Sequence, residues 1–210
     1  ELESRRGLKN IRTSMYNLLV PPYKPLVRRY LRLPVRERTL YTGEIETPVD
    51  VSTVNAALDR FEAENVRAIA VCFLHSYANP ENEDTAAKIC RERFGDEVYV
   101  TTSHEILPAA GEYERFSPTV VSAYIGPIVS DYLVALEKRL AQMGFRGSLM
   151  MVRSDGLVQS VAHSRRQAVS LINSGPAAAP TAARFFGSLL GHENLISVDM
   201  GGTSFDVSLI

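Results

Sequence analysis

The stretch Leu195-Ile-Ser-Val-Asp-Met-Gly-Gly-Thr-Ser-Phe-Asp-Val-Ser-Leu-Ile210 decides the interpretation of this chain. It opens with apolar residues that predict a buried strand ending at Asp199. A turn follows at Gly201-Gly202-Thr203, and residues 205–210 alternate between apolar and polar side chains. The stretch therefore predicts two strands joined by a glycine turn, with a carboxylate where the first strand ends.

The chemistry of this turn favours binding of nucleotide phosphates. Two adjacent glycines permit positive φ and leave no side chain between backbone N–H groups and an approaching anion. A carboxylate alone repels phosphate, so Asp199 suits the site if a divalent metal or its waters lie between them, or if it orients an attacking water. The alternative is a plain hairpin in which aspartate and glycine only form the turn.

The segment before the turn favours the phosphate interpretation. Residues 173–184 predict a helix, with Pro176 in its first turn and small residues after it. Five alanines between Ala177 and Ala183 would let this helix approach another backbone closely. A tightly packed structural helix explains the same residues and is compatible with a binding role.

The small-residue helix followed by strand, Asp-x-Gly-Gly-Thr and strand resembles the second phosphate-binding region of the actin, sugar-kinase and heat-shock ATPases. The chain is most similar to the hydantoinase A and 5-oxoprolinase family, which includes N-methylhydantoinases and acetone and acetophenone carboxylase subunits. Further blocks in family order carry the resemblance: residues 66–80, 103–108, 112–115 leading to 123–127, and 174–178.

The chain departs from the family pattern at four places. Pro118 stands where a second threonine is common, and Ala179-Pro180 replaces a glycine-containing pair. The loop Ser154-Asp155-Gly156 is one glycine shorter than usual, and Phe205 stands where threonine or serine is common. None of these departures removes a residue of the terminal turn.

The resemblance implies an α/β fold, a mixed sheet with flanking helices that forms part of an actin-like, ribonuclease H-like ATPase. It implies a subunit that uses ATP and Mg²⁺ to activate a cyclic amide, such as hydantoin or 5-oxoproline, for ring-opening hydrolysis. Asp199 would be catalytic and organise Mg²⁺ through water, while Gly201, Gly202 and Thr203 bind phosphate and Asp206 braces the hairpin. The alternatives are an ATP-dependent ketone carboxylase subunit and a non-catalytic actin-like ATPase or scaffold.

A second set of candidate residues could contact substrate or bridge domains. Glu112, Glu114 and Arg115 place two carboxylates beside a guanidinium, although acids at a helix start also complement the helix dipole. Asp155 follows a predicted strand, at the end where ligands of α/β proteins bind, and could equally form a simple turn.

The resemblance also predicts how the chain is organised. Residues 1–40 are interpreted as a connector or subunit contact, 41–172 as the hydantoinase A-type region, and 173–210 as the helix and second phosphate hairpin. The first phosphate hairpin and the adenosine site of the superfamily have no counterpart here, so we expect an internal piece that is inactive alone. A small-molecule substrate and a second, hydantoinase B-type subunit or fused domain are the expected partners.

The order of predicted elements is β-α-β with short links, which favours an α/β protein with much of its sheet parallel. We expect helices over residues 52–65 with Ser52 as cap, 80–94, 119–143 and near 165. Strands are expected over residues 66–74, 97–101, 148–152 and 168–172.

Composition is that of an ordinary globular chain, with 45% hydrophobic and 22% charged residues. Residues 1–40 hold ten Lys or Arg and three Glu, which we interpret as a subunit contact or solvated face rather than a nucleic-acid site. We find no apolar run of bilayer length, no signal peptide and no metal-ligand spacing of cysteine or histidine. A cytoplasmic location with reduced thiols, and no nucleic-acid or membrane partner, is therefore expected.

Overall fold

The computed structural model describes residues 25–210, which fall into two compact units divided between Pro127 and Ile128. The part of the predicted connector within residues 1–24 lies outside the described residues. The remainder holds a 3₁₀ turn at Arg29–Leu31 and the first strand. This division separates the two compact parts of the chain. The boundaries at residues 40 and 172 separate regions of different expected function, and they stay a prediction.

The first unit is built around one β-α-β crossover. Strands β3 (Ala68–Val71) and β4 (Tyr99–Thr102) are parallel, with Ala68 opposite Tyr99 and Val71 opposite Thr102. Helix α2 (Glu81–Phe94) connects them, and helix α1 (Val51–Ala63) precedes β3. The other elements are the hairpin β1 (Arg38–Thr39) and β2 (Ile45–Thr47), helices α1 (Val51–Ala63) and α2 (Glu81–Phe94), the 3₁₀ turn Gly95–Glu97, and the short helix α3 (Ser103–Ile106).

The core of this unit lies between the two helices and the parallel strands. Its members are apolar residues that recur at helical spacing on α1 and α2 and at alternate positions on β3. Burying each larger aliphatic side chain contributes about 1.5–3 kcal/mol. The fully buried members are Val54, Leu58, Ile69, Val71, Ala86, Ala87, Cys90 and Val98.

Helix α4 (Glu112–Gln142) begins in the first unit and continues into the second. Its first residue precedes the predicted start at Thr119 because Gly111, at a φ of 101°, turns the chain into the helix. The helix is long and apolar enough by composition to cross a bilayer, with a mean hydropathy of 1.5, which differs from our expectation. One such helix is weak evidence for a membrane, since core helices of soluble proteins have the same composition.

The second unit contains two antiparallel hairpins and three helical segments after α4. Residues 150–160 form one hairpin, and residues 196–209 form the other. The elements are β5 (Met150–Val152), β6 (Val158–Ser160), α5 (Val161–Arg166), the 3₁₀ turn Ala168–Leu171, α6 (Ser174–Leu190), β7 (Ile196–Met200) and β8 (Phe205–Leu209).

The predicted α/β class is confirmed, but three local expectations are wrong. Residues 168–171 form a 3₁₀ turn instead of a strand, because the Ser170 hydroxyl bonds to the Gln167 carbonyl and accepts from the Gln159 side chain. Helix α1 is capped by Asp50, whose Oδ1 accepts from the Ser52 backbone at 2.9 Å, so Ser52 is not the cap. Among the described strands only β3 and β4 pair in parallel.

The Asn82 side chain, on α2, connects this helix to the first hairpin by hydrogen bonds. Its Oδ1 accepts from Val49 N at 2.9 Å, while its Nδ2 donates to Glu37 Oε2 at 2.9 Å, Thr39 Oγ1 at 3.3 Å and Thr47 O at 3.2 Å. The amide is almost fully buried, so these bonds compensate its desolvation.

A buried polar cluster, which we call the strand-end clamp, joins the carboxyl ends of β3 and β4. It consists of Glu83, Ser103 and Arg115, all 0% exposed. Glu83 Oε1 accepts from Phe73 N at 2.9 Å and from Ser103 Oγ at 2.7 Å. Its Oε2 accepts from the backbone of His104 at 2.9 Å and from the ring Nδ1 at 2.6 Å. One carboxylate thus holds the segments that follow both strands.

Arg115 completes the clamp from the first turns of α4. Its Nε donates to Ser103 Oγ at 3.1 Å, and its two terminal nitrogens donate to Ala109 O at 3.0 Å and Phe73 O at 2.8 Å. The guanidinium also lies over the ring of Tyr77, 5.4 Å from its centroid. Such bonds offset the high cost of burying the charge.

The pKa values of Glu83 in the clamp and of His104, which hydrogen-bonds to it, shift in opposite directions. Burial tends to raise the pKa of Glu83, but bonds from His104, Ser103 and Phe73 outweigh it and lower that pKa below its ordinary value. Burial tends to lower the pKa of His104, but Glu83, with Asp84 and Glu105 nearby, raises it above 6.5. Each shift in pKa favours the charged form of its group.

The ring of Tyr99 packs into a notch in α4 at Gly126. A Cβ added at this glycine would lie 2.6 Å from Tyr99 Cδ1, closer than atoms in contact approach. Residues 123–127, one of the blocks that carry the family resemblance, thus include a glycine that packing within the first unit requires.

We expect Gly126→Ala to lower the free energy of unfolding by about 1–3 kcal/mol, because the methyl group overpacks the notch. Urea unfolding followed by circular dichroism measures this change. The matched control is Gly175→Ala, also in a helix but with no atom within 4 Å of the added Cβ, which should be neutral or stabilising. Equal effects of the two substitutions would contradict the notch.

The clamp predicts how stability depends on pH. A raised pKa makes His104 stabilise the fold below pH 6.5, and this contribution is lost as pH rises through its folded-state pKa. A lowered pKa makes Glu83 stabilise the fold above pH 4.5, and this contribution is lost as pH falls through its folded-state pKa. We therefore expect His104→Gln to flatten the decline in unfolding free energy above pH 6.5, while His163→Gln, at an exposed histidine, leaves the decline unchanged. If the unfolding free energy declines equally above pH 6.5 in the wild type and both variants, His104 is not the source of the decline.

Candidate functional site

The terminal stretch folds as the predicted hairpin. Strands β7 and β8 pair in register, with Asp199 directly opposite Asp206 and Met200 opposite Phe205. Gly201 N donates to Ser204 O at 3.0 Å, which leaves Gly202 and Thr203 at the tip. The two predicted strands are thus present, but β7 continues to Met200 and its apolar side chains are exposed, so the expected burial of this strand is wrong.

The two faces of this hairpin differ in chemistry. One face carries apolar side chains on both strands that are 54% to 82% exposed: Ile196, Val198, Met200, Phe205, Val207 and Leu209. The other face carries Asp199 and Asp206 between serines of the two strands. Because side chains alternate along a strand, both carboxylates lie on the face opposite the apolar one.

The glycine turn is open, but it does not use the expected backbone conformation. Neither Gly201 nor Gly202 is among the residues with positive φ, so that expectation is wrong. An ideal Cβ at either position would meet no atom within 4 Å. The space beside the turn is therefore free, and Asp199, exposed at the end of β7, lies next to it. An exposed carboxylate oxygen and an unobstructed backbone fit a hydrated Mg²⁺ and the phosphates of a nucleotide.

Asp206 has the partner expected of a bracing residue. Its Oδ2 accepts from the Ser204 hydroxyl at 2.9 Å, and its side chain is more buried than that of Asp199. The bond ties β8 to the turn. The predicted phosphate and metal roles of Asp199, Gly201, Gly202 and Thr203 remain predictions.

The residues around Glu112 serve the packing of the first unit. Arg115 is enclosed in the strand-end clamp. The Oε2 atom of Glu114 lies 2.7 Å from the position that a Cβ on Gly111 would take, so its carboxylate folds back over the residue before the helix, as in a capping box. Glu112 is exposed in the first turn of α4. The arrangement favours the structural interpretation for Glu114 and Arg115.

Asp155 lies in the turn between β5 and β6. Its Oδ1 accepts from Leu157 N at 3.1 Å, and its Oδ2 lies 2.8 Å from Arg153 Nη2. At the next residue, Gly156, an added Cβ would lie 3.1 Å from the carbonyl oxygen of Ala177 in α6. The small residues of α6 thus permit the close backbone approach that the sequence predicted.

Sequence reasoning missed the clamp, although one signal was present. Glu83 shares the helix face of Ala86, Ala87 and Cys90, at spacings of three, four and seven. A carboxylate at a core position of an amphipathic helix indicates a buried partner. The partners Ser103 and Arg115 are distant in sequence, and no local pattern identifies them.

The two cysteines are unsuited to nucleophilic chemistry. Both are free thiols, and burial raises the pKa of Cys90 to about 11 and that of Cys72 further. Within residues 25–210, no group of three or more His, Cys, Asp or Glu side chains could hold a metal ion. A metal bound here would therefore need water or nucleotide oxygens as additional ligands.

Comparison with known proteins supports the resemblance over most of the chain. A profile described as Hydantoinase/oxoprolinase matches residues 115–210, and one described as Hydantoinase/oxoprolinase N-terminal region matches residues 4–94. Caprolactamase subunit alpha of Pseudomonas jessenii is 37% identical over 92% of this chain and 28% of the relative. Acetophenone carboxylase gamma subunit of Aromatoleum aromaticum is 33% identical over 89% of this chain and 26% of the relative.

A solved structure agrees with these matches. The crystal structure of ATP-dependent caprolactamase from Pseudomonas jessenii superposes with a TM-score of 0.83 at 37% identity, over 99% of this chain and 30% of that chain. The match confirms the predicted fold class, an α/β part of an ATPase-like fold. The chain spans less than a third of the length of these relatives. With two profiles of one family along its length and a matching fold, the chain belongs to the hydantoinase/oxoprolinase family.

Proposed function

We propose that this chain is part of an ATP-dependent subunit that activates a cyclic amide for ring-opening hydrolysis. The observation that carries the proposal is the open glycine turn beside the exposed Asp199 carboxylate. The similarity to a caprolactamase, which by its name acts on a lactam, supports the substrate class. The relatives are ATP-dependent enzymes by their titles, which supports ATP use.

The residues of the hairpin have separate roles in this proposal. Gly202 and Thr203 donate backbone N–H groups to phosphate oxygens, and Asp199 holds Mg²⁺ through water. Gly201, whose own N–H donates to Ser204 O, leaves the space beside the turn open for the phosphates. ATP supplies a phosphoryl group that makes an amide oxygen a better leaving group. The hairpin fixes the positions of donors and carboxylate before the nucleotide arrives, so little reorganisation is needed on binding.

A ketone carboxylase subunit is the second candidate, favoured by the similarity to the acetophenone carboxylase gamma subunit. The two functions share the need for ATP and differ in the second substrate. ATP turnover by the full-length subunit with its partner, measured with caprolactam, 5-oxoproline or hydantoin, tests the first. Turnover that requires a ketone with bicarbonate would favour the second.

A partner subunit of hydantoinase B type, or a fused equivalent, is part of the proposal. Relatives are named as alpha, beta and gamma subunits, which supports assembly with other chains. We further propose that residues 1–210 alone do not turn over ATP, since phosphoryl transfer needs all phosphate contacts in place together. A cytoplasmic location stays a prediction from the sequence.

Asp199→Asn in the full-length subunit should lower ATP turnover about 100-fold or more, because the neutral amide no longer organises the metal. Steady-state turnover at saturating Mg²⁺ measures the loss, and circular dichroism checks the fold. Asp59→Asn removes another exposed carboxylate, one that pairs with Arg93 on the first unit, and should leave turnover unchanged. Near-normal turnover of Asp199→Asn would remove Asp199 from the site.

Gly202→Val should weaken Mg-ATP binding about 10-fold or more while the melting temperature stays close to wild type. The added side chain meets no protein atom and occupies the space proposed for phosphate. Calorimetric titration and thermal unfolding measure the two effects separately. The control is Gly187→Val, whose side chain would collide with Leu195 of the same unit and should reduce stability. Loss of stability in Gly202→Val as large as in the control would make the turn structural.

A further inference from the structure

His75 has a backbone conformation that is uncommon for residues with a Cβ. It follows β3 with a φ of 56°, in the left-handed region, which histidine adopts more often than most residues other than glycine but which still carries strain. Its carbonyl oxygen accepts from Ala78 N at 2.9 Å and Asn79 N at 3.3 Å, so the conformation belongs to a hydrogen-bonded turn. A glycine would form this turn with less strain.

The imidazole of His75 is also incompletely satisfied. Its Nδ1 is buried and has no hydrogen-bond partner among the described residues. The ring meets the edge of Tyr77, with centroids 5.9 Å apart. Buried polar atoms of this kind are rare in folded proteins and require a partner such as water or ligand.

The surrounding structure holds the His75 turn in place. Glu83 binds Phe73 N and Arg115 binds Phe73 O on one side of the turn. On the other side the Ser76 hydroxyl lies 3.1 Å from Ser103 Oγ. With its flanking residues fixed to the strand-end clamp, the turn cannot relax by moving as a whole. Strain that persists in a fixed loop is found at binding sites, where it orients a side chain.

The position of the turn agrees with a binding role. It follows the carboxyl end of β3, where that strand pairs in parallel with β4. Ligands of α/β proteins bind outside the carboxyl ends of such strands. The other non-glycine turn beside β3, at Asn65 with a φ of 51°, lies at the opposite end of the strand.

We propose that His75 contacts the small-molecule substrate, with its Nδ1 hydrogen-bonded to an amide group. The amide class rests on the proposed function. Nδ1 is a donor in one neutral tautomer and an acceptor in the other, and an amide offers both a C=O and an N–H. Either tautomer of His75 therefore has a complementary atom on a cyclic amide. His75 binds and orients the substrate in this proposal and transfers no proton.

The test uses His75→Gly in the full-length subunit with its partner. We expect the KM for the cyclic amide to rise about 10-fold, the loss expected for one neutral hydrogen bond. The KM for ATP should stay within about 2-fold of wild type. The melting temperature should stay the same or rise, because glycine adopts the turn without strain. The substrate is whichever of caprolactam, 5-oxoproline and hydantoin best stimulates wild-type ATP turnover.

Two further variants serve as controls. Asn65→Gly relieves the corresponding turn at the other end of β3 and should leave both KM values unchanged. Asparagine adopts positive φ but has a shorter side chain than histidine, so His75→Asn should raise the KM for the amide as His75→Gly does.

The outcomes separate this inference from the proposed function. An unchanged amide KM in both His75 variants, with an active wild type, overturns the role of His75 and leaves the proposed function standing. A fall in melting temperature with a rise in both KM values also overturns it, since the ring would then only support packing. A wild type that none of the three amides stimulates overturns the proposed function and the amide class together.

Discussion

The Ser103 hydroxyl lies between two buried side chains of opposite charge, and the first unit is organised around it. It donates to Glu83 and accepts from Arg115, so each charge is compensated through a neutral group. Burying an unpaired charge would cost several kcal/mol. Glu83 and Arg115 also occupy the backbone groups of Phe73, so the same contacts that stabilise the charges determine the path of the chain after β3.

The sequence predicted the parts of the structure that depend on local order. An apolar run located β7, alternation located β8, and small residues indicated the close approach of α6 to Gly156. The clamp was not predictable, because Glu83 and Ser103 are twenty residues apart and meet only when β3 and β4 pair. Nor could the sequence give the conformation of the glycine turn, since glycine permits several and the strands select among them.

The terminal hairpin exposes its apolar face, whereas a two-faced hairpin in a folded protein ordinarily buries that face. Its carboxylates lie on one face, while its other face carries apolar side chains that are exposed on both strands. Exposed apolar surface of this kind marks regions that contact other protein. The hairpin is thus suited to hold a polar ligand on one side while its other side packs against protein.

The notch at Gly126 has a consequence for the orientation of α4. Successive residues of a helix are rotated by about 100° and displaced by 1.5 Å along the axis. Only glycine lacks the Cβ that Tyr99 would strike, so rotation of α4 about its axis would bring a side chain against the ring. The missing methyl group thereby favours one rotation of the helix where it meets Tyr99 within the first unit.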